Sequence, residues 1–138
     1  MKILVVDDDS ICRMVMRAAL ASVGEVDCCA DGDEAVSAFR QSLDLDSPYD
    51  LVCMDIMMPK MNGLEALALI RQEERRRGRV QPSASIVIMT TAVGDAETIG
   101  TAFSLCDAYL VKPLHPHELL NLVECLGHTG QAIAADHS

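Results

Sequence analysis

At 138 residues the chain has room for one domain with a substantial core and none for a second folded module. Half of its residues are hydrophobic but only 3% are aromatic, which excludes disorder and calls for a core of aliphatic, Met and Cys side chains. A formal charge of −10 argues against a nucleic-acid surface, since phosphate binding relies on clustered Lys and Arg.

Short apolar runs alternate with segments of helical period, the pattern of repeated β-α units around a parallel sheet. Residues 2–6 read as a strand, after which Asp9 or Ser10 caps a helix with the apolar stripe Ile11, Met14, Val15, Ala18 and Ala19, ended by Gly24. Val26 to Cys29 form a weaker strand, followed by a helix bearing Ala35, Ala38 and Phe39 with Asp33 as its cap, and residues 42–48 read as loop. Leu51 to Met54 form the third strand and run into Asp55. Pro59 and Gly63 then make a sharp connection to a helix around Leu64, Leu67, Ala68 and Ile70. The run Arg75, Arg76, Arg77 and Gly78 reads as a solvated helix end, because cations offset the dipole there and Gly suits the position after the cap.

A fourth strand, Ile86 to Met89, ends at Thr90-Thr91 and precedes a helix with Ala96, Ile99 and Phe103. A short fifth strand, Ala108 to Val111, leads to Lys112-Pro113, and Pro116 opens a last helix with Leu119, Leu122, Val123 and Leu126 on one face. The expected division is a domain over residues 1–126 and a loosely held tail over 127–138, where the pattern lapses. The six cysteines contain no C-x-x-C pair and read as buried free thiols. With neither a signal-peptide h-region nor an apolar stretch near 20 residues, the expectation is a cytoplasmic protein with no membrane partner.

Chemistry concentrates at the ends of the strands. Asp7 and Asp8 end the run Ile3-Leu4-Val5-Val6, and Asp55 ends Leu51-Val52-Cys53-Met54. In a parallel α/β sheet the carboxyl ends of the strands line the ligand crevice, so three acids distant in sequence converge there. Two unit charges about 4 Å apart repel by about 4 kcal/mol at an effective dielectric near 20, so the cluster calls for a cation, and Mg²⁺ suits oxygen ligands. Thr90 and Lys112 fall at the same edge. An ionised aspartate attacks phosphorus without a general base, provided that charge on the phosphoryl oxygens is neutralised. His115 and His117, two apart before a helix, are a weak metal signal.

The segments Ile3-Leu4-Val5-Val6-Asp7-Asp8-Asp9, Met54-Asp55-Ile56-Met57-Met58-Pro59-Lys60-Met61-Asn62-Gly63, Met89-Thr90-Thr91-Ala92 and Tyr109-Leu110-Val111-Lys112-Pro113 together resemble the receiver domain of bacterial response regulators, over about residues 1–126. The resemblance implies a flavodoxin-like, doubly wound, five-stranded parallel sheet of order 2-1-3-4-5 with five flanking helices. It implies Asp55 as phosphoacceptor and Asp7 and Asp8 as the acidic pair holding Mg²⁺. The backbone carbonyl of Met57 would be a further ligand. Thr90 and Lys112 would contact the phosphoryl group, Tyr109 would be an aromatic switch, and the Lys112–Pro113 bond would be cis. Thr90 rather than Thr91 keeps the spacing to Lys112. Leu105-Cys106 stands where receivers commonly have Gly-Ala, which bears on the local turn.

On that resemblance the expected function is a phosphorylation-dependent switch rather than an enzyme with turnover. A sensor histidine kinase or histidine phosphotransfer protein supplies the phosphoryl group, and a downstream protein reads the face made by the fourth helix, fifth strand and fifth helix. The expected assembly is a monomer or a phosphorylation-dependent dimer. Met57 and Ala92, which cannot orient a water, imply slow self-dephosphorylation. Two rival classes are a haloacid-dehalogenase-type phosphatase, for which Asp7 and Asp9 have only the nominal spacing, and a phosphorylation-independent interaction module.

Overall fold

The computed structural model describes residues 1–80, 83–92 and 105–136. Five strands, β1 (Lys2–Val6), β2 (Glu25–Cys29), β3 (Leu51–Asp55), β4 (Ile86–Thr91) and β5 (Ala108–Val111), form one sheet in the order β2-β1-β3-β4-β5. Every pairing is parallel. The helices α1 (Ser10–Leu20), α2 (Gly32–Asp44) and α3 (Gly63–Arg76) follow β1, β2 and β3, and a C-terminal helix spans Pro116–Asp136. This is the expected flavodoxin-like order. The helix expected around Ala96, Ile99 and Phe103 lies outside the described residues.

Alternation along each strand divides the core into two layers. Ile3, Val5, Leu51, Cys53, Ile88 and Leu110 pack with Met16 and Leu20 of α1 and with Leu119 and Val123 of the C-terminal helix. Leu4, Val6, Val52, Met54, Val87 and Met89 pack on the other face against α2 and α3, where Phe39, Leu67 and Ile70 are fully buried. Each such buried aliphatic side chain contributes about 1.5–3 kcal/mol, so the near-continuous apolar strands hold the sheet between its helices.

Several local expectations are corrected. The buried stripe of α1 contains Met16 and Leu20, with Cys12 and Ala19 partly buried, while Ile11 and Met14 stand 64% and 63% exposed. Apolar residues surround much of this helix, so docking against β1 and the C-terminal helix sets its rotation, while Asp9, with extended backbone and a side-chain acceptor, caps the Ile11 amide. Asp31, not Asp33, caps α2 by accepting from the Glu34 amide at 2.8 Å. Asp33 and Glu34 lie in the first turn, where the dipole favours them. That helix also runs to Asp44, into the segment read as loop. Of the six thiols only Cys29, Cys53 and Cys106 are buried, and Cys125 is exposed. The C-terminal helix continues past Gly127, at which a Cβ would meet nothing within 4 Å, into the Ala-rich stretch before Asp136.

Candidate functional site

Strand parity carries Asp7, Asp55, Thr90 and Lys112 to one place. Each follows by two positions a residue of the same core layer, Val5, Cys53, Ile88 and Leu110 respectively, so all four continue one face at the carboxyl edge of the sheet. Asp55 and Thr90 are also direct partners in the β3–β4 register. Thr91 falls on the opposite parity and donates to the Ala92 carbonyl at 3.3 Å.

Side-chain oxygens of Asp7, Asp8 and Asp55 all lie within 4.8 Å of one another. Asp7 and Asp55 are buried and Asp8 is exposed. Among the described residues one cation pairs with the cluster: Lys112 Nζ is 3.0 Å from Asp7 Oδ2 and 3.4 Å from Asp55 Oδ2. Burial raises the Asp55 carboxyl, the neighbouring Asp7 charge raises it further, and Lys112 offsets this only in part, leaving it at about 6. Burial works against the charged form of Lys112, but Asp7 and Asp55 outweigh it and hold the ammonium above its usual value. Three carboxylates against one ammonium leave an uncompensated negative charge. Among the described residues, Asp7 Oδ2, despite its ion pair, and Thr90 Oγ1 are buried without a hydrogen bond. All the clustered ligand atoms are oxygens, one carboxylate is open to solvent, and a buried oxygen lacks a hydrogen bond, so the site fits a hard divalent cation such as Mg²⁺.

The backbone around the acids is tightly fixed. Asp7 Oδ1 accepts from the Asp9 amide at 2.9 Å, and Arg13 Nη1 donates to the Asp7 carbonyl at 2.7 Å. Across the site the Ile56 amide donates to the Thr90 carbonyl at 3.0 Å, and the Gly63 amide to the Ile56 carbonyl at 2.7 Å. A Cβ on Gly63 would lie 2.2 Å from the Asp55 carbonyl oxygen, so only glycine lets the start of α3 press against the end of β3. Asn62 and Glu65 complete a reciprocal capping box on that helix.

Of the other expected site residues, Met57 has a 59% exposed side chain, and its backbone N–H partly offsets the rise in the Asp55 carboxyl. Tyr109, 39% exposed, lies in register with Met89 on the parity opposite Lys112. The Lys112–Pro113 bond is cis, as expected. Asp9 spends its carboxylate on the α1 cap and lies outside the acid cluster, which removes the Asp7–Asp9 pair required by the phosphatase rival. His115 and His117 belong to no metal-capable group among the described residues. Sequence reasoning missed Arg13. Its position one turn into the helix after the acids was the available signal, since that spacing lets its guanidinium reach back to the β1–α1 connection.

Comparison with known proteins places this geometry. A family model described as the response regulator receiver domain matches residues 3–124. The chain is 38% identical to the regulatory protein VanRB of Enterococcus faecalis over 97% of this chain and 55% of that protein. It spans about half the length of the first such relatives. Among solved structures it is similar to the chemotaxis protein CheY4 of Vibrio cholerae, with TM-score 0.72 and 26% identity over 89% of this chain and 95% of that one. It is also similar to the response regulator TrrA of Thermotoga maritima in complex with Mg(2+)-BeF, with TM-score 0.70 and 32% identity over 90% and 97% of the two chains.

Proposed function

The chain belongs to the response regulator receiver family, and from that premise we propose that Asp55 accepts a phosphoryl group from a phosphohistidine of a sensor histidine kinase or histidine phosphotransfer protein. A carboxylate oxygen of Asp55 forms the new P–O bond as the P–N bond to the imidazole breaks, giving an acyl phosphate. Asp7, Asp8, Asp55 and the Met57 carbonyl hold Mg²⁺, which when bound neutralises charge on the phosphoryl oxygens. The observation that carries this reading is the under-neutralised cluster of three acids against Lys112 at the carboxyl edge of the sheet.

Residues of the chain do the rest. Lys112 leaves its bridge to Asp7 and Asp55 to pair with the new dianion, and the unmet hydroxyl of Thr90 turns to donate to a phosphoryl oxygen. Tyr109 follows Thr90 inward. The surface around β5 and the C-terminal helix repacks for a downstream protein. Residues 1–126 form this unit and 127–138 a tail beyond it.

Incubation with acetyl phosphate and Mg²⁺ adds one phosphoryl mass per chain, and Asp55→Asn or chelation of the metal abolishes it. Undiminished labelling of Asp55→Asn would sink the assignment. Met57 is exposed and Ala92 has only a methyl group, so neither holds a water against the acyl phosphate. Its lifetime in the purified protein therefore exceeds minutes, and decay within seconds would contradict that.

A further inference from the structure

The arginine run at the end of α3 is divided by the fold. Arg76 pairs with Glu73 at 2.5 Å, and Arg77 pairs with Glu73 and Asp44, each at 2.7 Å. Gly78, at φ +75°, then reverses the chain. Its amide donates to the Arg75 carbonyl at 3.1 Å and that of Arg79 to the Glu74 carbonyl at 2.8 Å, which closes the helix and quenches its last carbonyls. This return brings Arg79 beside Arg71 and Arg75. Those three arginines, with Val80, Ala84 and Leu105, line a cavity of about 210 Å³ at the amino edge of the sheet, away from the acids.

Arg71 is fully engaged there, but the other two are not. The Arg75 guanidinium has no ion pair or hydrogen bond among the described residues. Arg79 donates from Nη2 to the Ser83 carbonyl at 2.7 Å, while its Nε is buried without a partner. A buried donor left unmet is destabilising, and a bound acceptor would satisfy it. The lining carries three guanidinium groups against Glu74 and Asp107, an excess of positive charge in a chain of formal charge −10. Val80, Ala84 and Leu105 supply an apolar wall.

We propose that this cavity binds a small phosphate monoester, with Arg75 and Arg79 holding the oxyanion and the apolar wall covering the body of the ligand. Its volume falls below the roughly 300–1,000 Å³ of sites for drug-sized ligands, which points to a sugar phosphate rather than a dinucleotide. The site also touches the rest of the molecule. Arg71 Nε donates to the Leu105 carbonyl at 2.8 Å, and Asp107 accepts from Arg71 at 3.1 Å and from the Val87 amide at 2.7 Å. The turn 105–107 leads into β5, whose far end carries Lys112, so an occupant that stiffens this turn acts on the strand that positions that lysine.

The test is calorimetric titration of the full chain with ribose 5-phosphate, ribose and inorganic phosphate. Saturable binding of ribose 5-phosphate is expected, at least tenfold weaker for ribose and for inorganic phosphate, and at least tenfold weaker in the exposed-side double variant R75A/R79A. R76A, whose partner is Glu73, and Asp55→Asn should bind as the wild type does, so the result stands apart from the phosphoacceptor reading. Circular dichroism checks that each variant is folded. No saturable binding, undiminished binding by R75A/R79A, inorganic phosphate binding as tightly as the sugar phosphate, or loss of binding in Asp55→Asn would each overturn the proposal.

Discussion

Two buried polar clusters sit at opposite edges of the same sheet, and they are built on opposite plans. At the amino edge, Arg71 donates to the Leu105 and Ser85 carbonyls at 2.8 Å, and pairs with Glu74 at 2.8 Å and Asp107 at 3.1 Å. Both acids accept again, from the Ser85 and Val87 amides at 2.7 Å. At the carboxyl edge Lys112 pairs with two of three clustered carboxylates, and among the described residues two buried oxygens lack a hydrogen bond. A satisfied cluster ties elements together, whereas an unsatisfied one holds free energy that only an additional cation or phosphoryl group releases. Incomplete pairing, not burial of charge as such, separates the acid cluster from the Arg71 network.

The largest effect that would break this contrast is at the structural edge. Arg71→Ala leaves the buried Glu74 without its cation and frees the more exposed Asp107, and should lower stability by about 3–5 kcal/mol in urea unfolding; a loss under about 1 kcal/mol would mean that the cluster ties nothing. At the functional edge the sign reverses. Asp55 has a folded pKa of about 6 against an ordinary 3.8, so the folded state holds its proton more tightly than the unfolded chain does. Its ionisation therefore costs stability above pH 6, and the cost fades between pH 6 and 4. Asp55→Asn should stabilise the metal-free protein by about 1–2 kcal/mol at pH 7.5, the gain vanishing near pH 4 and shrinking under saturating Mg²⁺. Thermal unfolding across that range checks it, and a pH-independent gain would refute the electrostatic cause.

The smallest effect sharpens the comparison, because Arg13 is a structural contact placed at the functional edge. Its hydrogen bond to the Asp7 carbonyl holds the β1–α1 connection in place. Arg13→Ala should weaken Mg²⁺ binding about fivefold, the equivalent of one hydrogen bond of about 1 kcal/mol, with partial recovery in Arg13→Lys. Metal titration followed by NMR reads this directly, and an unchanged affinity with a lowered melting temperature would make Arg13 merely a stability residue.

The strand cores, the acids at their ends and the helix over Gly63–Arg76 were legible in the sequence because their signals are local: apolar runs, a capping residue, a glycine at a tight turn. The rotation of α1 was not. Ile11 and Met14 carry the same apolar signal as Met16 and Leu20, and only docking against β1 and the C-terminal helix selects which pair is buried. The choice between Thr90 and Thr91 shows the same limit from the other side. Spacing to Lys112 favours Thr90, but what puts it beside Asp55 is the β3–β4 register and the parity of the strand. The division of the Arg75–Arg79 run had no sequence signal strong enough to read, since guanidinium partners are chosen by whatever the fold brings within reach.

By itself, then, the sequence determined which elements form and on which of them each acid, hydroxyl and ammonium stands, because residue type and periodicity act within a few positions. The tertiary structure alone decided which of those groups meet and which charges are left unpaired: register, helix rotation and chain reversal are set by packing between segments far apart in the chain.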